Sequence, residues 1–273
     1  MGRQWSVLKF VIMDESRCVN CSQIVTTPFC PHCGQKRERK RITLLSLYHD
    51  FQSRIYGFDG MFPRTVKDLT LNPGRVAAEF VDGNRVKYVG PVGYFFLMIT
   101  LYLLLLSILE IDFFEYATTN NPFSIEGTTK QQEFTRRLMD IVSKNLRIFS
   151  FLIVPITGIW ARIFFRQSGL NWLEHTVPVF YVQGHINWLT IVNVFVFFFW
   201  GWSIGVYEAL IGFLFYGFAC TGFYAGDNKS LTFFRGLFVA IFSILTFQIL
   251  VAIFAFVYLF LDPDMVKLMK EGS

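Results

Sequence analysis

Four of the five cysteines lie between residues 18 and 33 and supply the clearest chemistry in the chain. Cys18-x2-Cys21 and Cys30-x2-Cys33 form two thiolate knuckles separated by eight residues, and zinc takes four soft ligands in a tetrahedron with little chain between them. Pro31-His32-Cys33-Gly34 closes the second knuckle on a glycine that lets backbone N–H groups fold back toward the thiolates. The pattern predicts a structural Zn2+ site with Cys18, Cys21, Cys30 and Cys33 as ligands; a redox or disulfide pair and an iron centre are the alternatives. His32 reads as a bystander. A closed four-thiolate site has no open position for water, which points away from catalysis and toward folding a segment too short to build its own core.

A second set of polar residues interrupts the apolar runs. Gln183, His185, Asn187 and Asn193 give one run a polar stripe, and Glu208 lies about a turn or more inside the next. Such groups are costly in hydrocarbon and are the default candidates for an intramembrane site. The tight Gly201-Trp202 turn makes the two runs a hairpin, so counting back from it brings Glu208 near Asn193 and His185 to the level of Tyr216. His185 is open to three readings: an interhelical hydrogen bond, a substrate or proton site, or a metal ligand. Arg162 is expected to snorkel to an interface, Glu174 and His175 to be interfacial, and Cys220 to pack. No phosphate-cradling loop, serine elbow or His-Glu metal motif is present.

Lys36, Arg37, Arg39, Lys40 and Arg41 form a third group, a basic run just ahead of the apolar segments. It reads as a lipid-headgroup surface or a protein-partner surface, with nucleic acid the weakest choice.

The elements that must carry these residues follow from composition. The 273 residues are 53% hydrophobic and 16% charged, against roughly a quarter charged in soluble domains. Residues 1–91 hold 14 Lys/Arg against 8 Asp/Glu. The expected fold class is an all-α integral membrane protein with about five transmembrane helices, a small N-terminal four-cysteine module and cytoplasmic amphipathic helices. The expected division is a zinc knuckle module at 14–41, amphipathic juxtamembrane helices at 42–91, a transmembrane domain at 92–261 and a tail at 262–273. Within the transmembrane domain, runs of the length a bilayer requires occupy about 92–109, 148–165, 176–200, 203–225 and 231–261.

In the juxtamembrane part, Leu44, Leu45, Leu47, Tyr48, Phe51, Ile55 and Tyr56 recur at helical spacing. A further helix is expected from near Pro63 to Asn72-Pro73-Gly74, and another from Arg75 to Asp82 capped by Gly83. These segments are expected to lie along the cytoplasmic face. A four-span or six-element layout is the alternative, with Gln131 to Arg147, between the first two runs, as an amphipathic helix on the surface. Basic residues before the first run place the N-terminus in the cytoplasm, and the opening residues lack a signal-peptide cleavage site.

Residues 18–106 also resemble a family of bacterial membrane proteins known as domain of unknown function 3667. The resemblance rests on the two Cys-x-x-Cys pairs with Phe29-Cys30-Pro31-His32-Cys33-Gly34-Gln35-Lys36, on Arg41-Ile42, Phe58-Asp59, and Thr65 ahead of Leu69. It continues through Asn72-Pro73-Gly74, Glu79-Phe80-Val81-x-Gly83-x-Arg85, Tyr88 and Pro91. It implies a protein of the bacterial inner membrane with a zinc-ribbon-like head, and no activity. The five-span layout is loosely similar to the Yip family, an analogy of fold alone. The functional expectation is a small transporter, lipid translocator or channel component. A membrane scaffold recruiting a partner through the zinc head and a membrane-embedded enzyme are the alternatives; partners are the bilayer, further copies of the chain and a protein at the head.

Overall fold

The computed structural model describes residues 17–37, 43, 60–119, 129–224 and 228–261. The expected helix over Leu44 to Tyr56, the basic residues Arg39, Lys40 and Arg41, and the tail from 262 lie outside the described residues. Within them the chain is helical, apart from two isolated bridges in the cysteine head, Arg17 with Ile24 and Phe29 with Lys36.

Helices α1 (Met61–Leu71) and α2 (Pro73–Val81) are separated only by Asn72. Each starts about two residues earlier than the apolar pattern suggests, because proline is tolerated in a first helical turn, where its missing N–H has no partner to lose. Gly83, at φ 99°, ends the pair in the left-handed region. Helix α3 (Pro91–Ile108) follows, again with proline at its first position.

The short α4 (Phe113–Thr118) was not legible as a helix; Asp112 caps it by accepting from the Phe114 and Glu115 N–H groups. Helix α5 (Thr129–Lys144) falls on the stretch that the alternative layout gave to an amphipathic helix, and α6 (Leu146–Phe164) begins two residues after α5 ends.

Helix α7 (Trp172–Trp200) begins four residues before the expected start at residue 176. The cause is a capping box: Asn171 accepts the Glu174 N–H at 2.9 Å, and Glu174 accepts the Asn171 N–H at 2.7 Å. Polar capping residues interrupt an apolar pattern while starting a helix. Helices α8 (Gly205–Phe223) and α9 (Lys229–Leu261) complete the bundle. Five of these helices, α3, α6, α7, α8 and α9, are long and apolar enough to cross a membrane.

Helix α7 is the axis of the bundle: α3, α6 and α8 pack against it, while α9 packs on α8 and α6. Helices α1 and α2 do not stand apart from the bundle. Their buried residues, including Thr65, Leu69, Val76, Ala77 and Phe80, face α7 and α8. These faces of α1 and α2 are therefore covered by the long helices. Gly74 makes this packing close; a Cβ there would collide with the Ala219 carbonyl oxygen and stand 2.6 Å from the Phe223 nitrogen.

Contacts between helix ends define two poles. Tyr181 donates to the Val89 carbonyl at 2.8 Å, His175 and Tyr224 are 2.7 Å apart, and Phe165 stacks on Tyr224. The starts of α3 and α7 and the ends of α6 and α8 thus share one pole with α1 and α2. The α7–α8 hairpin occupies the other.

Candidate functional site

The cysteine head is a twofold repetition of one turn. Cys18 N–H donates to the Gln23 carbonyl and Ser22 N–H to the Cys18 carbonyl; Cys30 N–H donates to Gln35 and Gly34 N–H to Cys30 in the same way. Both fifth residues have positive φ, 61° at Ser22 and 72° at Gly34. The glycine of the second knuckle was legible in advance; Ser22, doing the same task in the first, was not.

These turns bring four sulfurs together. Cys18 and Cys33 Sγ are 3.5 Å apart, Cys21 and Cys30 Sγ are 3.6 Å apart, and all four lie within 4.8 Å of one another. A tetrahedron with Zn–S bonds of about 2.3 Å has edges of about 3.8 Å, so the set fits a four-thiolate metal site. His32 contributes no atom to this group. Burial opposes ionisation of Cys30, but the backbone groups of Cys33 and His32 and the adjoining thiols outweigh it and bring the thiol down to about 7. At Cys21 the Gln23 backbone favours the thiolate, yet burial and the neighbouring sulfurs raise it to about 12. Thiols this close share protons unevenly, and a cation would replace those protons.

The head is fastened to the helices at the α2 exit. Gln35, 4% exposed, donates from Nε2 to the Gly83 carbonyl at 2.6 Å, and Asn84 reaches Asn20 at 3.5 Å. Tyr88 donates to Asp68, Val89 N–H to Thr65, and Lys87 pairs with Glu79 at 2.8 Å. Lys36 and Arg37 lie on the exposed side of the head.

The polar residues of α7 divide between two places. His185 is held on both ring nitrogens, by Tyr94 at 3.0 Å and Thr70 at 3.1 Å, and stacks against Phe215. Asn187 donates to the Gln183 carbonyl within its own helix. Gln183, Thr190, Asn193 and Glu208 instead line a cavity of about 720 Å³ among α3, α4, α6, α7, α8 and α9. Thr190 donates to Glu208 Oε1, and Asn193 Nδ2 lies 3.3 Å from Oε2. Asn193 also accepts the Ile204 N–H at 2.8 Å and donates to Tyr116 at 2.9 Å, pinning the hairpin. Among the described residues, Glu208 is the only charged one lining this cavity, whose wall also carries the buried Tyr216 hydroxyl.

His175 is fully buried in the bundle, with Nδ1 on Tyr224 and, among the described residues, no partner on Nε2. The early start of α7 carries it inside. No sequence signal marked Tyr116 or Tyr216, since both stand among many aromatics.

Among the described residues, fold and site together define a helical protein with five membrane-length apolar helices and a four-thiol head able to bind a metal. The family described as Protein of unknown function (DUF3667) is matched over residues 59–103, which hold α1, α2 and most of α3, and the resemblance read from the sequence is confirmed over that stretch. No curated protein and no solved structure is matched by the chain.

Proposed function

We propose that the chain is a multi-pass protein of the bacterial inner membrane, with a Zn2+-clamped cytoplasmic head, that binds and moves an amphiphile through the cavity beside Glu208. One observation carries this reading: a largely apolar cavity of about 720 Å³ whose single charge, among the described residues, is a carboxylate held by Thr190 and Asn193. That volume suits a drug-sized or lipid-sized apolar body. A carboxylate with no cation beside it accepts hydrogen bonds or positive charge, so the head of the ligand is a hydroxyl or an amine. An anionic head would find no partner there.

Translocation of acyl-chain-labelled amphiphiles across vesicles containing the full chain tests the reading. An amine or hydroxyl head should cross, and a carboxylate head should not. Glu208→Gln should slow the amine probe by about tenfold, and Ala240→Trp should block both. Rates equal to those of protein-free vesicles for every probe would refute the transport reading.

Scaffolding is the second reading, favoured by Ile24 and Phe29, which are 63% and 57% exposed on the head. Replacing both with serine would then abolish partner capture and leave translocation unchanged.

A further inference from the structure

The end of α6 carries a feature that neither the metal head nor the Glu208 cavity uses. Arg162 and Arg166 face one depression of about 860 Å³ with Ile159, Ile163 and Trp172. A second depression, about 310 Å³, continues from it across Ile163 and Arg166 to Phe164, Gln167 and Arg235 of α9. Three guanidinium groups, from α6, from the turn that follows it (Arg166–Ser168) and from α9, therefore border one continuous groove. Among the described residues, none of the three has a carboxylate within ion-pair distance. Glu174, on the neighbouring turn, is buried and occupied in the α7 capping box.

The helix dipole accounts for part of this arrangement only. A cation at the C-terminus of α6 is favourable, which covers Arg162 and Arg166. Arg235 lies in the second turn of α9, where the dipole offers a cation nothing. The surface beside the arginines is also apolar rather than hydrated: Ile159 and Ile163 are 51% and 55% exposed, and Phe238, one turn beyond Arg235, is 51% exposed. Three fixed positive charges at one edge of an apolar face, at the pole that carries the cysteine head, match a molecule with an anionic head and hydrocarbon tails.

The geometry points to a binding site for an anionic phospholipid, its phosphate held by Arg162, Arg166 and Arg235 and its acyl chains lying along Ile159, Ile163 and Phe238. Arginine suits this role because its planar fork donates two parallel hydrogen bonds to phosphate oxygens. Basic pockets between helices at a membrane surface recognise such headgroups. The site is separate from the Glu208 cavity, whose lining contains no arginine, and it stands whether or not the protein transports anything.

Native mass spectrometry of the full chain in detergent tests it. The protein is titrated with phosphatidylglycerol, phosphatidylcholine and inorganic phosphate. One phosphatidylglycerol should bind at least tenfold more tightly than phosphatidylcholine, and inorganic phosphate should not displace it. Arg166→Gln should weaken that binding by about fivefold and Arg162→Gln/Arg235→Gln by more. Arg137→Gln, which removes the same charge from α5, should have no effect. Thermal unfolding of each variant identifies any that misfolds; Arg166→Lys, which retains charge but loses the fork, supplies a milder substitution and should bind with intermediate affinity. Equal affinity for the two lipids, displacement by inorganic phosphate, or equal losses from Arg137→Gln and Arg166→Gln would each overturn the site.

Discussion

At the scale of single residues, two positions with the same backbone conformation carry different side chains. Ser22 and Gly34 both sit at positive φ, each closing one knuckle. A residue with a Cβ is disfavoured there by about 1 kcal/mol. Ser22→Gly should therefore stabilise the metal-loaded head by roughly 0.5–1 kcal/mol, and Gly34→Val should lower metal affinity by about tenfold. Competition with a chelator of known affinity measures both, and a Gly34→Val head that holds metal as tightly as the parent would contradict the strain argument. His185 and Glu208 make a second contrast. Both were flagged for being ionisable in apolar runs, but the ring nitrogens of His185 are each engaged and Glu208 faces the cavity. Tyr94→Phe removes one His185 partner and should cost about 1–2 kcal/mol, seen as a lower unfolding temperature in detergent, while amphiphile translocation persists. Loss of translocation in a stably folded Tyr94→Phe protein would move the functional site to His185.

At the scale of elements, close approach between helices depends on glycine. Glycines recur along α8, at Gly205, Gly212, Gly217 and Gly222, and only the packing shows which neighbours they admit. Gly222 meets Gly74 of α2, and Gly217 meets Phe233 and Gly236 of α9. Gly74→Ala should cost more than about 3 kcal/mol, because backbone on the facing helix cannot yield as a flexible side chain can. Gly90→Ala provides the control, since its Cβ would find only Phe80 at 4.0 Å. Yield of folded protein and unfolding temperature compare the two; equal tolerance would mean that α2 does not cross α8 so closely. Helix existence was legible in these elements because apolar runs and prolines mark them. The start of α7 was not, because Asn171 and Glu174 are polar residues that begin a helix by hydrogen bonding rather than by burying an apolar face.

At the scale of the whole molecule, hydrogen bonds at the α2 exit join the head to the bundle. Gln35 on Gly83 and Asn84 on Asn20 join the metal knuckles to the α2 exit, within the stretch matched by the family. Metal is expected to supply most of the folding free energy of the head, while the long helices have their own core. Chelation should expose residues 17–37 to protease and leave the helical circular dichroism in place. Gln35→Ala should raise protease sensitivity of the head without releasing metal. Loss of helical signal on chelation would instead make the head a folding nucleus for the bundle.

The sequence by itself determined the thiol set, the number of membrane-length helices and the hairpin that opposes Asn193 and Glu208. Each depends on spacing along the chain: the reach of a knuckle, the thickness of a bilayer, the residues back from a turn. Only the tertiary structure decided that His185 is engaged rather than open, that Gly74 meets α8, that α1 and α2 are part of the bundle, and that arginines 73 residues apart at Arg162 and Arg235 border one groove. Those facts depend on which helix faces which, and apolar helices with little amphipathic contrast do not declare their facing sides; shape and a few buried hydrogen bonds choose them.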